Sequence, residues 1–142
     1  MCNLKTIRFN RDGQIEEELI NTEHIHFFYI IRGGNRCLLH TRGSYAKSEM
    51  VMEDTQSLIN SGAFIHCMSY DTLDTNDPTL KDIYINPEAI NYVRAPKEKN
   101  QGIGSEIHVG NEREEYFGKV VCVSPTPLEI KKMIDYKKKN EK

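Results

Sequence analysis

The chain has 142 residues, 38% hydrophobic and 28% charged, and a formal charge of −2 from 19 basic and 21 acidic side chains. That composition fits a globular protein with a polar surface and a real core, and argues against wholesale disorder. The longest apolar run, Ile25 to Ile31, is broken by His26 and is too short to cross a bilayer.

In chain order, Leu4 to Asn10 alternates apolar and polar residues and reads as a strand. Arg11-Asp12-Gly13 is a tight hairpin turn, and Gln14 to Ile20 is the return strand. His24 to Arg32, rich in β-branched and aromatic residues, is a third strand ending at Gly33-Gly34-Asn35. Arg36 to Thr41 and Tyr45 to Met52 are further strands around Arg42-Gly43. Asp54 to Ser61 is a short helix, started by Glu53-Asp54-Thr55 and stopped by Gly62. Strands follow near 63–69, 81–86, 89–95, 105–109 and 115–123, with a helix near 127–138. Thr126 before Pro127, with Glu129 in the first turn, is a strong helix start. The polar loops 70–79 and 96–104 are the expected mobile segments.

This order repeats. Ile20-Asn-Thr-Glu-His-Ile-His-Phe27 precedes Ile85-Asn-Pro-Glu-Ala-Ile-Asn-Tyr92 by 65 residues, with four of eight positions identical. Leu39-His40-Thr41 then parallels Ile107-His108-Val109, and Tyr45 to Val51 parallels Tyr116 to Cys122. The expected architecture is α+β and mainly β: two tandem ββββ(β)α units, 1–62 and 63–142, packed about a pseudo-twofold axis.

The chemistry-bearing residues are sparse. Cys2, Cys37, Cys67 and Cys122 form no CxxC pattern, and the N-terminus lacks the apolar stretch of an export signal. Reduced thiols and a cytoplasmic location are therefore expected. His66 and Cys67 are adjacent in a strand and face opposite ways, so they make no catalytic pair. His24 and His26 are placed on one strand face, but two ligands do not define a metal site. Gly33-Gly34-Asn35 and Gly102-Ile103-Gly104-Ser105 open no helix, so neither is a phosphate loop. No enzyme, cofactor or metal is expected.

Binding is the stronger reading. Residues 24–48 carry Arg32, Arg36, Arg42 and Lys47 and no acid. Arg36, His40 and Arg42 share one strand face, with Asn35 in the turn, and Tyr29 lies on the neighbouring strand as a base-stacking candidate. Six lysines in the last twelve residues add unspecific attraction for phosphates. A basic hairpin gripping nucleic acid is the leading expectation. The alternative is a homo-oligomeric protein that captures a small nucleotide or a protein partner, as small phage inhibitors do.

Two resemblances accompany this reading. Ile25, Phe27-Phe28-Tyr29, Gly34-Asn35, Leu39-His40-Thr41, Tyr45 and Leu58 through Phe64 resemble the front of a LytTR-type DNA-binding domain. Ile85-Asn86, Ile90 and Val123-Ser124 also fall where that family has similar residues. The segment after Phe64, where the family carries a basic His-Arg-Ser run, reads Ile65-His66-Cys67-Met68-Ser69 here. The second half, through Ile85-Asn-Pro-Glu-Ala-Ile90 and Val121-Cys-Val-Ser-Pro125 running into Ile130, Met133 and Ile134, is similar to the FlbD-like flagellar regulators. Both resemblances imply a β-rich regulator of transcription without catalytic residues.

Overall fold

The computed structural model describes residues 4–31, 36–41, 49–70, 80–96, 103–110 and 119–140. The first unit contains β1 (Leu4–Arg11), β2 (Gln14–Asn21), a 3-10 turn (Thr22–His24), β3 (Ile25–Ile31), β4 (Arg36–Thr41), β5 (Glu49–Met50) and α1 (Met52–Asn60). The second contains β6 (Ile65–Tyr70), β7 (Leu80–Ile85), a 3-10 turn (Pro87–Ala89), β8 (Ile90–Arg94), β9 (Ser105–Val109), β10 (Lys119–Val123) and α2 (Pro127–Asn140). Neither helix is long and apolar enough to cross a membrane.

Among the described residues, ten strands join one antiparallel sheet in the order β2-β1-β5-β4-β3-β7-β6-β10-β9-β8. Each unit contributes the same internal order, with its second strand outermost and its third strand at the far side. The register repeats as well. Phe27 lies opposite His40 and Phe28 opposite Leu39, as Tyr92 lies opposite His108 and Val93 opposite Ile107. Both ladders shift register at the same place, between Ile25 and Phe27 and between Ile90 and Tyr92.

The 3-10 turns match atom for atom. The Asn21 side-chain Oδ1 accepts from the Glu23 backbone amide at 3.0 Å, and Asn86 Oδ1 accepts from the Glu88 amide at 3.0 Å. An Asn side chain reaching two residues ahead competes with strand pairing and turns the chain. The repeated Ile-Asn-x-Glu motif encodes that corner.

The units are not related by the closed pseudo-twofold axis that the sequence suggests. A closed axis would carry the β3–β7 junction onto a β8–β2 junction. Instead, β2 and β8 end the sheet at opposite sides. Equivalent strands stand five positions apart, about 24 Å at the usual strand spacing. Five is odd in an all-antiparallel sheet, so equivalent strands run in opposite directions. The relation is a half-turn about the line crossing the strands, plus a translation along it.

That half-turn puts the two helices on opposite faces. Phe28 joins Ile7, Phe9, Ile25, Met50 and Leu58 of α1 in one core. Its neighbour Phe27 joins Ile65, Cys67, Ile83, Ile85, Ile107 and Ile130 of α2 in the other. Adjacent strand residues point to opposite faces, so β3 supplies one phenylalanine to each core and locks the units together. Each fully buried phenylalanine contributes roughly 1.5–3 kcal/mol.

Helix α1 starts earlier than its sequence signal, at Met52, after Val51, which supplies no side-chain cap. Asp54 is drawn away from capping by Arg8: its carboxylate accepts the Arg8 amide at 2.7 Å and the guanidinium at 3.0 and 3.1 Å. Helix α2 starts as expected, with Thr126 and Glu129 closing a reciprocal capping box at 3.1 and 3.3 Å.

Candidate functional site

The corners built by the two Asn motifs, the exit of α1 and the end of α2 surround a cavity of about 910 Å³. This lies within the range of small-molecule sites. The first unit supplies Leu4, Lys5, Thr22 and Glu23, and the α1 exit supplies Leu58, Ser61, Ala63 and Phe64. The second supplies Asn86, Pro87, Glu88, Ile134, Lys137 and Lys138. The cavity therefore sits where the units meet and needs both.

Local structure holds these groups in place. Ser61 Oγ donates to the Leu58 carbonyl at 2.6 Å and accepts from the Ala63 amide at 3.3 Å, fixing the exit of α1. Gly62 has φ +73, which suits glycine at a helix end. Asn86 is buried and its amide nitrogen donates to the Ile25 carbonyl at 3.0 Å, tying the second corner to the first unit. The Asn86 backbone amide donates to His26 at 2.9 Å. Lys5 Nζ donates to Ser57 Oγ of α1 at 2.5 Å. On α2, Ile130 is buried and Met133 and Ile134 pack behind it. That helical spacing turns Lys137 and Lys138 to the cavity.

The wall chemistry is mixed. Leu4, Leu58, Phe64 and Ile134 form apolar surface, three lysines bring positive charge, and Glu23 and Glu88 bring two carboxylates. Ammonium groups hold phosphate as point charges, and carboxylates accept from hydroxyl or amino donors.

Of the six residues singled out from sequence, Arg36 and His40 fall within the described residues. Arg32, Asn35, Arg42 and Lys47 lie outside the described residues. Arg36 and His40 are in β4, opposite Ile31 and Phe27 of β3. Tyr29 is half-buried against the second core, its ring centroid 6.4 Å from that of Phe27. The corner Asn86 and pocket lysines Lys5, Lys137 and Lys138 were not singled out as a site. Their one sequence signal is the repeated Ile-Asn-x-Glu motif beside the lysine-rich end.

The histidines are also corrected. His24 sits in the 3-10 turn and not on the strand with His26, because the Asn21 corner delays the strand to Ile25. His26 is buried. Among the described residues no group of three or more metal-ligating side chains forms. His66 stacks on Tyr84 at 4.8 Å and meets Asp82 at 2.9 Å, whereas Cys67 is buried in the second core. Burial pushes the Cys67 thiol up to about 12, so it is protonated and unreactive at neutral pH.

The fold and pocket define a class by architecture: a ten-stranded sheet of two like units with a ligand-sized cavity at their junction. No protein-family model, no curated protein and no solved structure matches the chain.

Proposed function

We propose that this chain is a binding protein whose junction pocket captures a small phosphate-bearing ligand, with a nucleotide the best fit in size and chemistry. The observation that supports it most is the convergence of Lys5, Lys137 and Lys138 on one cavity with apolar walls. The lysines suit the phosphate, the apolar walls a base, and Glu23 and Glu88 the ribose hydroxyls or a base amino group. The two carboxylates disfavour a continuous nucleic-acid backbone, which brings phosphates past every position. A short ligand with one charged end satisfies both signs. Neither histidine nor cysteine lines the pocket among the described residues, which suits capture and not turnover. The role that follows is regulatory: sensing or withdrawing a nucleotide signal.

Nucleic-acid binding through the basic hairpin of residues 24–48 is the second reading, carried by its acid-free stretch around Arg36 and Arg42. Calorimetric titration with adenine and guanine mono- and dinucleotides separates the two. Binding of at least one nucleotide is expected, weakened about tenfold or more by Lys137→Glu with Lys138→Glu, a change of about 1.4 kcal/mol. No nucleotide heat, together with steeply salt-dependent binding of a DNA duplex lost in Arg36→Ala/Arg42→Ala, would replace the pocket reading with the hairpin one.

A further inference from the structure

The two ends of the sheet are the same two edges that are joined inside the chain. Internally, β3, the third strand of unit one, pairs with β7, the second strand of unit two. At the ends stand β8, the third strand of unit two, and β2, the second strand of unit one. We propose that copies of this chain associate head to tail, with β8 of one copy pairing antiparallel to β2 of the next. This proposal does not depend on the pocket reading, with which it shares Leu4 alone.

The register follows from the internal junction. There, Phe27 lies opposite Ile85, Phe28 opposite Tyr84 and Tyr29 opposite Ile83. Carried through the repeat, Tyr92 lies opposite Ile20 of the next copy, Val93 opposite Leu19 and Arg94 opposite Glu18. Two pairs are apolar and the third is of opposite charge, all favourable across a ladder.

The exposed side chains fit the same geometry. At the internal junction Phe28 packs on Tyr84 at 5.0 Å and on Phe64 at 5.0 Å. The equivalents of Tyr84 and Phe64 in the first unit are Leu19 and Leu4, by the registers Lys5–Ile20 and Ile65–Ile85. Leu19 is 68% exposed and Leu4 58%, and Ile15 on the same strand pair is 57% exposed. On the other edge Tyr92, equivalent to the buried Phe27, is 42% exposed. The apolar groups that the internal junction covers are therefore left open at the ends. A next copy covers them.

Charge selects head-to-tail pairing over like edges. β2 carries Glu16, Glu17 and Glu18, whose charge Arg11, paired with Glu16 and Glu18, offsets only in part, so like charge disfavours two β2 strands side by side. β8 carries Arg94 and no acid. Such an interface is heterologous, so it closes into a ring or extends as an open chain according to the rotation per step.

The test uses two edge variants, Leu19→Lys on β2 and Tyr92→Lys on β8, with circular dichroism to establish that each is folded. Ile15→Lys replaces Leu19→Lys if the latter does not fold. By light scattering coupled to gel filtration, the wild-type chain is expected above the 16.4 kDa of one protomer, with mass rising with concentration if the assembly is open. Each variant alone is expected as a monomer. Mixed, they form a dimer, because the intact β8 of one meets the intact β2 of the other. A wild-type chain monomeric at every concentration, variants that associate alone, or a mixture that stays monomeric overturns the proposal.

Discussion

Asn86 does two jobs that its counterpart Asn21 shares only in part. Both cap their 3-10 turn, but the Asn86 amide also reaches Ile25 and is buried. Asn86→Ala leaves a buried carbonyl without that donor and is expected to cost about 1–3 kcal/mol. Asn21→Ala is expected to cost less, by chemical denaturation of both variants. Equal costs contradict the role of Asn86 in joining the units. Asp54 supplies a pH signature. The Arg8 guanidinium, with the Arg8 amide, holds its carboxyl below the ordinary value. The unfolded carboxyl titrates near pH 3.9 or so, so the pair stabilises the fold above that pH. The contribution is lost as pH falls through the lower folded value. Asp54→Asn is therefore expected to melt below wild type at neutral pH, with the difference shrinking as the solution is acidified. A difference independent of pH contradicts the assignment. Arg8 and Asp54 are 46 residues apart and Asn86 and Ile25 are 61 apart, so no local pattern announces either pairing. The sequence places Asp54 at a helix start, and what it does not show is the cation on β1.

Among the elements, strand identity was legible because alternation and turn chemistry act locally. Asp12 and Gly13 both take positive φ, at 52 and 83, as a tight hairpin demands. β4 and β9 lie where the pattern places them, and the Leu39-His40-Thr41 correspondence with Ile107-His108-Val109 is the register itself. β5 is described at Glu49–Met50, Met52 of the expected Tyr45 to Met52 strand opens α1 instead, and 42–48 lie outside the described residues. The loops around 70–79 and 96–104 also lie largely outside them. Gly104 explains how β9 meets the start of α2. It donates to the Val123 carbonyl at 2.9 Å, and a Cβ there would run into the Ser124 carbonyl and the Pro125 backbone. Gly104→Ala is expected to cost about 1–3 kcal/mol by overpacking. A neutral substitution, measured by thermal melting, contradicts that close approach.

For the whole molecule, periodicity tells which residues share a face but not which edges meet. The repeat was readable in Ile20-Asn-Thr-Glu and Ile85-Asn-Pro-Glu. Its geometry was not, because a closed twofold and a half-turn with translation bury the same alternating positions within each unit. The difference appears only in the strand order, where β3 meets β7 and β8 is left at the end. The pocket was hidden for the same reason: its lysines stand at Lys5 and at Lys137 and Lys138, near opposite ends of the chain. The charges of the basic hairpin are contiguous in sequence. Contiguity in sequence favours a surface patch, whereas a cavity at a junction collects residues from both units.

Amide chemical-shift mapping during a nucleotide titration tests the pocket most directly, since it reports where a ligand sits as well as whether it binds. The expected result is saturable shifts at Lys5, Ser61 to Phe64, Asn86, Glu88, and Lys137 and Lys138. Shifts confined to Arg36 through Thr41, or none at saturating nucleotide, contradict it.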